Sequence, residues 1–289
     1  MLHINNNYFD WSCCYIKILT LNTHSLIEDA YSKKLEEFVH TVALERPDVI
    51  SLQEVNQSVD SNPLEITSLE GYFPCDNNIS IHEDNHVYNV AKRLQSLGIL
   101  YYWTWLPIKV GYVKFTEGLA ILSLKPILKT DTLLISNTNE YYNWRTRKVL
   151  GITIDNKEWF YNTHMSWWND AFEPFQLQWL KLNNHLKSID KVWLMGDFNN
   201  PASIESEGYD MVSNSKWFDT YILAKHKDTG FTVENLIDGW KERLPKATGM
   251  RIDQIWCNQE VSIESSRVIF NGKGSPIVSD HYGVIISTL

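Results

Sequence analysis

Asn22, Glu54, Glu117, His164, Asp197, Asn199, Asp253, Asp280 and His281 carry side chains from which hydrolytic chemistry can be built, and each stands beside a short apolar run. Carboxylates and amides bind a hard divalent cation through oxygen. Histidines add proton transfer near neutral pH. Taken singly, most of these positions have a plainer explanation. Gly-Asp-Phe-Asn (196–199) and Ser-Asp-His (279–281) read as turns, Glu54 as a solvated loop charge, and His164 as a hydrogen-bonded core histidine. The argument for chemistry is repetition. The same relation of polar residue to apolar run recurs from one end of the chain to the other, and strand ends deliver side chains to one rim of a sheet, where distant residues converge.

Strands must therefore position them. Apolar or alternating runs at 16–21, 49–52, 119–122, 149–154, 159–162, 192–195, 252–256 and 284–286 predict strands spread along the whole sequence. Asn22 and His24 follow the first, Glu54 the second, and Asp197 and Asn199 the sixth; Asp280 and His281 precede the last. Between the runs lie helical stripes. Leu35, Phe38, Val39 and Val42 share a face before Pro47; Val90, Leu94 and Leu97 share one before Gly98; Phe175, Trp179, Leu182 and Leu186 make the longest. No repeat or hinge-like tract divides the chain, so 15–289 reads as a single mixed α/β domain with helices outside sheets, and 1–14 as an extension.

Composition narrows the function classes. The 289 residues hold 26 basic and 35 acidic side chains, a net charge of −9, which argues against a nucleic-acid partner because backbone binding draws on clustered Lys and Arg. No run approaches the roughly 18 apolar residues of a membrane span, and residues 1–11 lack the layout of a cleavable leader. A cytoplasmic protein is expected, with no membrane or obligate protein partner. Cys13, Cys14, Cys75 and Cys257 form no C-x-x-C pair, so neither a disulfide framework nor a structural zinc site is expected.

Leu-Asn-Thr-His (21–24), Leu-Gln-Glu-Val (52–55), Glu-Gly-Leu-Ala-Ile-Leu-Ser (117–123), Asn-Thr-His (162–164), Gly-Asp-Phe-Asn (196–199), Arg-Ile-Asp-Gln-Ile (251–255) and Ser-Asp-His (279–281) resemble, in order, the motifs of the endonuclease/exonuclease/phosphatase superfamily. The resemblance spans 16–287. It implies a four-layered α-β-β-α sandwich, two packed mixed β-sheets flanked by helices. It also implies roles: Glu54 as principal ligand of Mg²⁺, or alternatively Mn²⁺, with Asn22 and Asp280 nearby; Asp197 to orient or deprotonate the attacking water; Asn199 to hold that water or a phosphate oxygen. His281, held by Asp253, and His164, supported by Glu117, would stabilise charge on phosphate oxygens. This chain has His24 where some members place an aspartate, which implies one metal rather than two.

Arg145 and Arg147 precede the run at 149–154, and Arg147 better matches the position of the family's phosphate-contacting arginine. The opening Leu-Asn-Thr-His-Ser, the segment Tyr-Tyr-Trp-Thr-Trp-Leu-Pro (101–107) and Asn-Thr-His-Met-Ser-Trp-Trp (162–168) look most similar to bacterial maltose 6′-phosphate phosphatases. That implies hydrolysis of a small sugar phosphate to free disaccharide and inorganic phosphate. Trp167 and Trp168 are then candidate sugar platforms, with core packing the competing reading. A nuclease or sphingomyelinase-like phosphodiesterase is the leading alternative. A non-catalytic carbohydrate-binding relic of the fold has no need of Glu54, Asp197, Asn199, Asp253 and His281 together.

Two further motifs carry less. His82-Glu83-Asp84-Asn85-His86 fits H-E-x-x-H, but its polar interior and the lack of a third histidine downstream read better as a helix start capped by Asp84 or Asn85. Gly272-Lys273-Gly274-Ser275 lacks the upstream glycine of a phosphate-binding loop.

Overall fold

Ile18 and Leu19, neighbours in the first strand, face two different cores, and that split repeats strand by strand. The computed structural model describes residues 15–235, 237, 239, 240, 243 and 249–289; the extension expected at 1–14, with Cys13 and Cys14, lies outside the described residues. Among the described residues, seven strands form one sheet in the order β10 (His226–Lys227), β12 (Ile263–Ile269), β13 (Gly283–Thr288), β1 (Lys17–Asn22), β2 (Val49–Ser58), β4 (Phe115–Ser123), β3 (Tyr102–Gly111). Six form another in the order β5 (Lys129–Leu134), β6 (Lys148–Thr153), β7 (Glu158–His164), β8 (Lys191–Asp197), β11 (Asp253–Cys257), β9 (Phe218–Asp219). Both sheets are mixed. β1 and β2 run parallel with α1 (Tyr31–Glu45) as their crossover, and β7 and β8 run parallel with α3 (Phe175–Leu186) as theirs.

The layers follow from the alternation. Ile18, Val49, Leu119 and Ile121 of the first sheet meet Leu150, Ile152, Phe160, Trp193, Met195 and Ile255 of the second in an inner core. The outer face of the first sheet takes Leu35, Phe38, Val39 and Val42 of α1 and Val90 and Leu94 of α2 (His86–Ser96). That of the second takes Phe175, Trp179, Leu182 and Leu186 of α3 and Val212 of α4 (Gly208–Asn214). This is the expected four-layered sandwich. Truncating one of its fully buried anchors, such as Trp193, to alanine should cost about 3–5 kcal/mol.

The helical stripes fall where expected, save Leu97, which lies past the last turn of α2 and is exposed. Asn85 caps α2, its side chain accepting from the Tyr88 N–H at 3.1 Å. His82 bonds the Ser58 carbonyl and His86 the Tyr31 hydroxyl, so the H-E-x-x-H pair does not converge. β3 was not anticipated. Tyr101, Trp103 and Trp105 fill the outer core while Leu106 and Ile108 fill the inner one, which erases the usual polar alternation. Pro107 is tolerated because β3 is an edge strand. No helix among the described residues is long and apolar enough to cross a membrane, and Cys75 and Cys257 are free thiols.

Candidate active site

Three strands of the second sheet place three acid–base residues at one level. His164 pairs with Asp197 in the register of β7 with β8, and Asp197 pairs with Asp253 in that of β8 with β11. Gly196 makes this possible. Its φ is 140°, and a Cβ there would stand 1.9 Å from the Thr163 carbonyl oxygen, so only glycine lets β8 approach β7 this closely. From the first sheet, β2 contributes Glu54 through a bulge: pairing with β4 skips from Leu52–Ala120 to Val55–Gly118, and Glu54 takes a left-handed φ of 52°. His24 and Asn199 are left-handed too, at 47° and 48°. Backbone strain of this kind persists where surrounding structure over-determines it, and here it borders the site.

The side chains close into a network. Asn22 Nδ2 donates to Glu54 Oε1 at 3.0 Å and to Asp197 Oδ2 at 3.2 Å, linking the sheets. His164 Nε2 lies 3.7 Å and His281 Nε2 4.0 Å from the same Asp197 oxygen. His281 Nδ1 bonds Asp253 Oδ2 at 2.9 Å, as expected. The Asn199 N–H donates to Asp197 Oδ1 at 2.8 Å, while its side-chain nitrogen donates to the Met165 carbonyl and its Oδ1 accepts from Trp240 Nε1. Under the site, Gln53 Nε2 donates to Asn162 Oδ1 at 2.7 Å, and Asn162 Nδ2 donates to the Leu52 and Ala120 carbonyls.

The two histidines hold different charge states. Burial works against a proton on His281, but the charge and hydrogen bond of Asp253, with Asp197 and Asp280, outweigh it and hold the imidazole well above its usual range. Burial, joined by the charges of Arg147, Lys109 and His281, holds His164 well below it. His281 is thus a donor cation and His164 a neutral ring. Burial and the neighbouring Asp253 carboxylate push Asp197 upward. Burial and the like charges of Glu117 and Asp280 do the same to Glu54.

A cleft of about 290 Å³ opens over this network, and Glu54, Glu117, Arg147, His164, Trp167, Asp197, Asn199, Asp280 and His281 all line it. Asn22 and Asp253 sit behind its wall. Several expectations need correcting. Glu117 does not support His164; its carboxylate pairs with Lys109 at 3.1 Å. Trp168 is not at the cleft: it packs on Phe175 in the outer core of the second sheet. Trp144 takes that place instead, edge-on to Trp167 at 5.9 Å. Arg145 is engaged with Asp170 and stacked over Trp144 and Phe172, whereas Arg147 lines the cleft. Lys109 and Tyr112 also line the cleft, and neither is singled out in the sequence.

The donor set fits a hard divalent cation. Glu54 is desolvated among carboxylates, and no Lys or Arg pairs with it among the described residues. Asp280 lines the same cleft. For Asn22 to offer its oxygen beside Glu54, its amide must turn over, because it bridges the two carboxylates as a donor and its Oδ1 accepts from the His24 N–H. Among the described residues, two groups of acids and histidines, Asp197–Asp253–His281 and His24–Glu28–Asp280, are compact enough to clasp an ion. In the second, burial pulls the His24 imidazole down, but the hydrogen bond to Glu28 and the charges of Asp280 and Glu54 hold it up at about 9. His24 itself therefore carries positive charge.

The sequence matches the model of the endonuclease/exonuclease/phosphatase family over residues 19–281. The chain belongs to that family. Its members are hydrolases that depend on divalent metal. A family protein from Leptotrichia buccalis C-1013-b is 30% identical over 95% of this chain and 99% of its own, with a TM-score of 0.83. TDP2 of C. elegans shares the fold at 18% identity, covering 96% of this chain and 75% of its own, with a TM-score of 0.63. The 3′ phosphatase NExo of Neisseria, solved with a product DNA hairpin, does so at 17% identity, covering 95% and 99%, with a TM-score of 0.61. A search among curated proteins found no match.

Proposed function

We propose that the protein is a Mg²⁺- or Mn²⁺-dependent phosphomonoesterase acting on an intracellular sugar phosphate, with a disaccharide 6-phosphate such as maltose 6′-phosphate preferred. The observation that carries this reading is the pairing, in one cleft, of a phosphate-hydrolysing constellation around Asp197 and His281 with Arg147 and the indoles of Trp144 and Trp167. Flat apolar faces with hydrogen-bonding tips suit sugar rings. The net charge of −9 disfavours a polyanionic partner, so nucleic acid and membrane are not part of the reading.

Asp197, raised by burial, orients the attacking water and accepts its proton, with Asn199 beside it. As the water oxygen bonds to phosphorus and the sugar oxygen departs, taking a proton from solvent water, the His281 imidazolium donates a hydrogen bond to a non-bridging oxygen, its charge sustained by Asp253. Arg147 holds the phosphate and the indoles hold the sugar. A divalent ion held at Glu54 and Asp280, with Asn22 turned over, would supply charge neutralisation on phosphate.

The test is a panel of sugar phosphates, nucleotides, DNA and sphingomyelin with Mg²⁺ or Mn²⁺. Maltose 6′-phosphate should exceed glucose 6-phosphate in kcat/KM by roughly tenfold, the worth of one good ring stack. Chelator should abolish turnover, and Glu54→Gln should raise the metal concentration needed for half activity. Robust cleavage of DNA or sphingomyelin with no sugar phosphate hydrolysed would place the protein among the diesterases.

A further inference from the structure

Lys109 enters the cleft because β3 is irregular. Pairing with β4 runs regularly to Pro107–Gly118, then shifts register to Lys109–Glu117, and the lysine side chain is buried against the site. Its ammonium donates to Glu117 Oε1 at 3.1 Å and to the Trp144 carbonyl at 3.0 Å. Arg147, just before β6, donates to the same Trp144 carbonyl at 2.7 Å. One carbonyl oxygen therefore holds two buried cations no farther apart than the sum of those two distances. Glu117 offsets one of the charges. Among the described residues, no carboxylate forms an ion pair with Arg147, and its buried Nε has no hydrogen-bond partner.

Two like charges this close in a desolvated wall repel, and a bound anion relieves that repulsion. Burial and the Arg147 charge pull the Lys109 ammonium below its ordinary range, against the opposing charges of Glu117 and Glu54. Lysine and arginine are the usual phosphate-binding side chains, the second through its planar fork.

We propose that Lys109 is a specificity-determining residue which, beside Arg147, selects a terminal phosphate dianion over the monoanion of a phosphodiester. The proposal rests on the phosphatase reading and deepens it. Each added unit charge on the ligand gains from each added cation in the wall, so the second cation discriminates between the two ester classes where one would merely bind both.

The experiment measures kcat/KM on p-nitrophenyl phosphate and bis(p-nitrophenyl) phosphate, and competitive inhibition by inorganic phosphate. The proteins are wild type, Lys109→Met, Lys109→Arg and the double variant Lys109→Met/Glu117→Gln, which avoids leaving a buried carboxylate unpaired. The monoester-to-diester ratio should fall at least tenfold in Lys109→Met and in the double variant, and Lys109→Arg should recover part of it. The inhibition constant for phosphate should rise by a similar factor. Equal loss on both esters, or unchanged inhibition by phosphate, overturns the proposal. The two readings fail separately. Sugar phosphates hydrolysed by wild type with a ratio indifferent to Lys109 would remove only the role of Lys109. Lys109-dependent phosphate inhibition in an enzyme that cleaves no sugar phosphate would keep the dianion site and remove the substrate.

Discussion

Gln53 on β2 and Asn162 on β7 meet between the two sheets, amide to amide at 2.7 Å, directly beneath the residues of the cleft. Each is followed within two positions by a site residue, Glu54 and His164, so the bond fixes the relative height of groups carried by different sheets. Both amides are fully enclosed, and Gln53 also meets Ser51 and Thr20. Gln53→Met should therefore cost about 1–3 kcal/mol, the penalty for stranding the Asn162 oxygen, read as a lower urea midpoint. Turnover should fall more than the folded fraction does, because Glu54 loses its register against His164. A variant with normal stability and normal turnover would refute the pinning role.

Asp197→Asn and His281→Ala should each lower kcat by at least about a hundredfold, the usual scale for positioned acid–base and electrostatic groups. The two losses should not add when the variants are combined, since both groups act on one reacting phosphate and meet at 4.0 Å. Steady-state kinetics on the double variant, with circular dichroism to confirm folding, checks this. Full activity in His281→Ala would discard the donor role.

How far these features were legible in the sequence depends on how local their cause is. The helical stripes follow from local apolar spacing, whereas the sandwich and the His281–Asp253 pair are expected only from the family resemblance of the motifs. Glu117 lines the cleft but pairs with Lys109 rather than His164, because a strand position names a face and not the neighbour across it. Lys109 gave no signal. Its burial arises from a register shift and from the carbonyl of Trp144, thirty-five positions away. Trp167 and Trp168 are adjacent in the turn that follows β7, where no strand or helix period applies, so nothing in the sequence says that Trp167 lines the cleft and Trp168 packs on Phe175.

His86 supplies a pH dependence outside the cleft. It is enclosed by α1 and α2, its Nδ1 bonded to the Tyr31 hydroxyl and its Nε2 without a partner, and burial together with the Arg93 charge lowers its pKa from 6.5 to about 3. The unfolded chain takes a proton near pH 6.5 that the folded chain refuses. This stability is complete above that pH and is lost as pH falls from 6.5 toward 3. At pH 5 the loss should be about 2 kcal/mol. Urea unfolding of wild type and His86→Gln at pH 7.5 and pH 5 isolates it from the carboxylates, which titrate in both. Equal acid sensitivity in the two proteins would contradict the assignment.

The tryptophans separate substrate recognition from packing. Trp144 is partly exposed, lies edge-on to Trp167 in the cleft and is backed by the Arg145 guanidinium 4.1 Å from its ring centre, a rigid platform at the mouth of the site. Trp168 instead leans on Phe175 at the first turn of α3, away from the cleft. Trp144→Ala should therefore reduce the preference for a disaccharide phosphate over glucose 6-phosphate by roughly fivefold to tenfold, the worth of a lost aromatic face, while p-nitrophenyl phosphate hydrolysis changes far less. Trp168→Ala should leave the preference in place and lower the melting temperature, since it opens a cavity in the outer core. Competition kinetics with the two sugar phosphates, paired with thermal melts, reads both effects in the same preparations. The opposite pattern, preference lost at Trp168 and stability lost at Trp144, would mean that the distal sugar binds on the α3 side of the cleft.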